Sequence, residues 1–270
     1  MLQILNQYFD ITPLQPLVYL INKPLGFSSF TIVDIFKHIL NDKVGHAGTL
    51  DPLATGDLLL LTGHTTKLAN NYLAFDKTYK TTALIGCTTA SYDLETQFSC
   101  KKTSLPDINT IKSTFKLLKE KTEYKVGSYS ALKHKGKPLY KDHSPSNFKI
   151  KTMQLKSATN IRSKTITYAQ IKELLNKKLT LLNNSISLYN QLHKELNVPI
   201  RKKQMSLFYT LTEIIEQNIN SLKSDIKYML LDVTLHVSKG TYVRSIIESL
   251  GQELNLPITT LNIHRTKSYN

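Results

Sequence analysis

The chain has 270 residues, 41% of them hydrophobic, with 35 Lys and Arg against 20 Asp and Glu, giving a formal charge of +15 and a pI near 9.6. That length can bury a substantial core in one domain, and the charge points to a polyanionic partner, either nucleic acid or an acidic membrane surface. No run approaches the length of a bilayer span, and Met1–Thr12 lacks the basic start and apolar core of a signal peptide. Two cysteines, Cys87 and Cys100, fit no metal spacing and read as ordinary thiols in a reducing compartment. A cytoplasmic protein without metal or membrane is expected.

In chain order, Leu17–Ile21 is a short apolar run with strand character. Asn22–Phe27 turns the chain, and Ser28-Ser29 can cap a helix reaching about Leu40, with Ile32, Ile35, Phe36 and Ile39 as its apolar stripe. Gly45-His46-Ala47-Gly48-Thr49-Leu50-Asp51-Pro52-Leu53-Ala54-Thr55-Gly56 then packs three glycines, a proline, a histidine and one carboxylate into a short loop, ahead of the buried run Leu58–Leu61. Gly63-His64-Thr65-Thr66-Lys67 lacks the leading glycine and spacing of a phosphate loop, so no nucleotide cofactor is expected. A short helix over Leu68–Leu73 and a strand over Thr81–Ile85 follow, then a polar turn from Gly86 to Asp93.

Ile111, Phe115 and Leu118 predict a helix over Ile108–Tyr124. Residues 101–151 hold 13 Lys against 4 acids, so +9 of the +15 lies in one stretch, as a phosphate-tracking surface needs. Residues 157–224 read as an inserted helical hairpin, on the spacing of Ile171, Leu174, Leu175, Leu179 and Leu182 and of Phe208, Leu211, Ile215, Ile219 and Leu222. Its expected role is packing rather than RNA contact. Tyr228–Val237 reads as a strand. Thr241 is then placed to cap a helix striped by Val243, Ile246, Ile247, Leu250 and Leu254.

Asp51 is the residue on which chemistry would centre. Glycines allow the loop backbone geometries closed to other residues, and Pro52 biases Asp51 away from helix. A carboxylate on such a loop is a candidate nucleophile or general base. Only four arginines occur, at 162, 201, 244 and 265. Arg244 falls in a first helical turn, where the helix dipole recruits no cation, so a nearby anion is expected, with Asp51 the obvious candidate.

The Gly45–Gly56 segment resembles the signature loop of the bacterial TruB family of tRNA pseudouridine synthases, Gly-His-x-Gly-Thr-Leu-Asp-Pro-x-Ala-x-Gly, at every fixed position. Lys23-Pro24-x-Gly26-x-Ser28-Ser29, Asp76-Lys77-x-Tyr79, Tyr129-Ser130-Ala131-x-Lys133 and Lys239-Gly240-Thr241-Tyr242-x-Arg244 are similar to further family motifs. Ile263-His264-Arg265-Thr266 stands where the family has Leu-Arg-Arg-Thr. Asn22 replaces the family's usual Asp, and the Arg expected shortly after Tyr140 is absent. The resemblance covers roughly residues 17–140 and 226–268.

It implies the pseudouridine synthase fold, α+β with a mixed, largely antiparallel sheet and flanking helices, here as one catalytic domain over 1–270. The family's small C-terminal RNA-binding domain has no counterpart before Asn270. It further implies a tRNA partner bound through the T stem-loop, a flipped-out uridine 55 as substrate, no cofactor, and a monomer. Asp51 is then the nucleophile, at C1′ or at C6, with Arg244 paired to it and Tyr79 against the base. Tyr242 and Ile263 hold the base, His46 fills or props the vacated RNA space, and Lys23 and Lys133 complete the substrate-binding set. Two rival functions use the same residues: a tRNA-folding chaperone without catalysis, and an Asp-nucleophile hydrolase of small molecules, which has no use for +9 in fifty residues.

Overall fold

The computed structural model describes residues 2–126, 129, 133–134, 137–138 and 149–267. The chain is α+β, with a largely antiparallel sheet and flanking helices. Its contacts divide it into two compact units, one made of residues 1–78, 176–213 and 264–270, the other of 79–175 and 214–263.

The first unit begins with α1 (Leu2–Leu5), β1 (Ile11–Gln15) and β2 (Val18–Lys23), then α2 (Ser29–Leu40), β3 (Val44–Ala47), β4 (Ala54–Thr62) and, after a 3-10 segment over Gly63–Leu68, α3 (Ala69–Leu73). Strand β4 lies antiparallel to β2 and also pairs with β3, and Leu58 to Leu61 are all buried. A strand with partners and both faces covered reads as an unbroken apolar run rather than an alternation. Ser28 caps α2 as expected, its hydroxyl accepting from the Thr31 amide. Satisfying an orphan donor this way is worth about 1 kcal/mol.

The second unit holds β5 (Lys77–Ile85, from Tyr79 on), the two-residue strands β6 (Cys87–Thr88) and β7 (Ser99–Cys100), α4 (Ile108–Glu120), β8 (Glu123–Val126), the short pair β9 (Lys133–His134) and β10 (Lys137–Pro138), β11 (Lys149–Thr152) and β12 (Leu155–Ile166). Two long helices follow, α5 (Tyr168–Leu196) and α6 (Lys202–Ser221), whose residues 176–213 belong to the first unit. Strand β13 (Tyr228–Val237) pairs antiparallel with β12, α7 spans Val243–Leu254, and β14 spans Ile258–Lys267.

Four expectations are corrected. Residues 155–166 are strand β12, so the helical hairpin starts at Tyr168 rather than 157; alternating Thr159, Ile161 and Thr165 suit a ladder and offer no helical stripe. Tyr124 lies in β8, not at the end of α4. Thr241 does not cap α7: the cap position is Tyr242, without a side-chain bond to the helix, and Thr241 bonds the Ser238 hydroxyl at 3.1 Å. The two cysteines are not separate thiols. Strands β6 and β7 place Cys87 opposite Cys100, and the sulfurs are bonded. A rule built on metal spacing is blind to two residues that meet only because a hairpin folds back.

The hairpin braces the turn ahead of α2. Within the first unit, Phe27 meets Tyr189 and Phe208 edge-on, with ring centroids 5.8 and 5.2 Å apart. Such pairs add about 0.5–1.5 kcal/mol beyond their burial. Buried Gln204 donates to the Gly26 carbonyl at 2.9 Å and accepts from the Ser28 amide and the Thr31 hydroxyl.

Candidate active site

The half-buried Asp51 sits where the chain leaves β3 and enters β4, and neighbouring groups grip the loop on both sides of it. One residue before, Ser29 donates from its hydroxyl to the Leu50 carbonyl at 3.0 Å and accepts from the Leu50 amide at 2.9 Å. One residue after, the Pro52 carbonyl accepts from the Gly26 amide at 2.8 Å and from the Lys23 ammonium at 3.3 Å. Lys23 is fully buried and also donates to the carbonyls of Pro24 and Phe27. The Asp51 carbonyl closes the turn by accepting from the Ala54 amide. The strand-turn-helix segment read from Lys23 to Ser29 thus acts as the seat of the Asp51 loop.

Arg265 holds the two ends together. Only 1% exposed, it donates from Nε to the Asp57 carbonyl at 2.6 Å and from an Nη to the Gly48 carbonyl at 3.0 Å. Two of the three loop glycines have positive φ, +96° at Gly48 and +95° at Gly56. A Cβ on Gly56 would lie 2.2 Å from the Arg265 carbonyl oxygen, so no other residue fits there. His46 pairs with Leu60 in the β3–β4 ladder, and its Nδ1 is buried without a hydrogen-bond partner. Burial first, and the Arg265 charge second, lower its pKa below 6.5, so the ring is neutral at pH 7. Burial raises the Asp57 carboxyl, against the opposing pull of Arg265 and His264.

The second unit builds a different constellation at the start of α7. Arg244 is 5% exposed and pairs with the Asp93 carboxylate at 3.1 Å. It also donates to the carbonyls of Ser91 at 3.0 Å and Tyr129 at 3.2 Å. The carboxylate beside Arg244 is that of Asp93, in the polar turn after β5, where the sequence had made Asp51 the obvious candidate. Thr89 and Ser91 tie that turn down through bonds to the Asp93 carbonyl. Tyr242 carries the Lys151 ammonium 4.9 Å above its ring, a cation–π contact. Tyr129, Tyr242 and Arg244 line a small cavity of about 10 Å³, room for about one water. Tyr79 in β5 and Ile263 in β14 are both buried, each 8% exposed.

Lys23, His46 and Asp51 therefore come together in the first unit, and Tyr79, Tyr242, Arg244 and Ile263 belong to the second. The side chain of Lys133, and most of the Tyr129–Tyr140 motif, lie outside the described residues. Sequence reasoning missed Arg265 and Ser29 as the clamps of the loop, and Asp93 as the partner of Arg244. The scarcity of arginine was a usable signal for the first, and the polar turn from Gly86 to Asp93 for the last. Among the described residues no group of three or more His, Cys, Asp or Glu could hold a metal ion, and no helix is long and apolar enough to cross a membrane.

Residues 37–181 match the model of the TruB family pseudouridylate synthase, N-terminal domain. The chain is 30% identical over 253 residues to the tRNA pseudouridine synthase B of Protochlamydia amoebophila, covering 93% of this chain and 73% of that one. It is 29% identical over 252 residues to the protein of the same name from Pseudoalteromonas translucida, covering 92% of this chain but 60% of the relative, less than two thirds of its length. A chain from the crystal structure of a Cbf5-Nop10-Gar1 complex superposes with a TM-score of 0.48 at 17% identity, over 99% of this chain and 50% of that one. The family model covers more than half of the sequence, and the chain belongs to the TruB family of pseudouridylate synthases.

Proposed function

We propose that this chain isomerises uridine 55 in the T loop of tRNA to pseudouridine, with Asp51 as the covalent nucleophile. The observation that carries the reading is the Asp51 loop itself, its backbone held before, after and across the carboxylate by Ser29, Lys23 and Arg265, in a member of a pseudouridylate synthase family. A group fixed this tightly loses little freedom when it attacks, which is how positioning lowers a barrier.

The chemistry is an isomerisation and balances without redox input. The bond from N1 to C1′ breaks, the uracil turns, C5 joins C1′, the C5 proton leaves and N1 gains one. A stacked nucleotide must first be flipped out. Asp51 then attacks C1′ of the ribose or C6 of the base. We assign Arg244 to keeping the Asp51 carboxylate ionised and oriented, Tyr79 to stacking and proton exchange at the base, and Tyr242 and Ile263 to its walls. His46, its ring neutral, takes the space the base vacates. Lys23 acts by fixing Pro52, and Lys133 contacts RNA. The protein works as a monomer in the cytoplasm, where its tRNA substrate is found.

The test is to incubate the protein with an unmodified tRNA transcript and map pseudouridine, with Asp51→Asn as control. Product at one uridine of the T loop with the wild type, and none with the variant, is expected. No product from the wild type, or equal product from the variant, overturns the assignment; refolding of tRNA without product would make the protein a chaperone.

A further inference from the structure

We infer a second RNA-contacting site, a lysine-lined cleft between α4 and β12 that grips phosphodiester backbone. It rests on the RNA reading above but uses none of the residues assigned to the chemistry. The cleft has a volume of about 290 Å³ and lies within the second unit, far larger than the ~10–15 Å³ that admits a single water. One wall is α4, whose Lys112, Lys116 and Lys119 all line it. Spaced by four and three residues, these lysines stand one above another on the same helix face. Phe115, 2% exposed, closes the floor, while the three lysines themselves are exposed.

The opposite wall is irregular strand, residues 158–161 of β12. The β12–β13 register shifts between Thr159 and Arg162, and Asn160 takes a left-handed φ of +51°. Neither Asn160 nor Ile161 has a register partner in β13. A bulge of this kind leaves backbone outside the ladder and turns the strand locally. The same strand carries Lys156, Arg162 and Lys164, all exposed. No carboxylate lines the cleft, and among the described residues none of Lys112, Lys116 and Lys119 is in an ion pair.

Three like charges on one helix face repel one another, which costs stability in the free protein. An anion with several charges in a row relieves that repulsion. A nucleic-acid backbone does so and releases its condensed counterions in the process. Lysine is suited to this task, since a phosphate needs only a point charge and no planar fork. The cleft is wide and three exposed lysines stand along one wall, so it fits a hydrated phosphodiester strand rather than a buried small molecule.

The experiment measures binding separately from turnover. Full-length tRNA transcript is titrated against the wild type and a Lys112→Gln/Lys116→Gln/Lys119→Gln variant by filter binding at several salt concentrations, with thermal melts confirming equal folding. Affinity at low salt is expected to fall about 10-fold or more, and the slope of log affinity against log salt to shrink by about 2–3. The rate at saturating RNA should stay within about twofold. Unchanged affinity and slope overturn the inference. Loss of poly-glutamate binding with RNA affinity intact also overturns it, assigning the cleft to an acidic protein partner. If the wild type binds RNA through this cleft but makes no pseudouridine, the functional reading falls and the cleft stands.

Discussion

Two buried arginines sit at the two centres of this molecule, and they differ in one respect. Arg244, besides donating to two main-chain carbonyls, meets a carboxylate, Asp93, with both side chains at least nine-tenths buried. Arg265, as buried, donates to main-chain carbonyls of Gly48 and Asp57. A cation bonded to carbonyls fixes the path of a loop, since two points of backbone are tied to one planar group. A cation bonded to a carboxylate instead fixes a charge, since taking either partner away strands the other in a low dielectric. The Asp51 loop needs a shape, and the start of α7 needs a charge held in place.

Mutation should separate these two roles, beginning with the larger effect. Arg244→Met leaves Asp93 buried without its cation, and a loss of about 3–5 kcal/mol is expected in urea unfolding. The double variant Arg244→Met/Asp93→Leu should recover part of that loss; no recovery would mean that the pair does not act as a unit. At the loop, Arg265→Met removes two charge-assisted bonds, worth about 1.5–3 kcal/mol each. Because those bonds set the posture of Asp51, kcat for pseudouridine formation should fall well beyond any change in KM, with partial rescue by Arg265→Lys. Equal falls in folded fraction and kcat would reduce Arg265 to a structural role.

The smallest effect concerns pH. His46 titrates below 6.5 in the folded chain because burial, and then Arg265, disfavour its charged form. The folded state therefore binds fewer protons than the unfolded one through that window. Stability from this residue is fully present above pH 6.5 and is lost as pH falls through the unfolded pKa towards the lowered one. The urea midpoint should drop between pH 7.5 and 5.5, and His46→Asn should flatten that drop. An unchanged slope in the variant would place the acid sensitivity elsewhere.

Much of the first unit was legible because its signals are local. Ser28 as a cap, the stripe Ile32, Ile35 and Phe36, and the apolar run Leu58–Leu61 all act over a few residues. Where reading failed, the deciding contact was distant in sequence. Arg265 lies 217 residues from the Gly48 carbonyl it binds, and Arg244 lies 153 from that of Ser91. Helix-like spacing from Ile171 onward was extended back over residues 157–166 and masked β12, whose pairing with β13 selects strand over residues of mixed propensity.

By itself, the sequence determined that an aspartate would stand on a glycine-shaped loop, that the surface would favour polyanions, and which short motifs bracket the loop. These follow from backbone permission, charge count and periodicity, all of which are properties of neighbouring residues. Only the tertiary structure decided which cations hold that loop, that Asp93 faces Arg244, that the cysteines meet, and that three lysines of α4 share a cleft with a bulged strand. Those outcomes depend on which strands and helices come to lie side by side, and the burial of Arg265 and Arg244 is stable only once their distant partners have arrived.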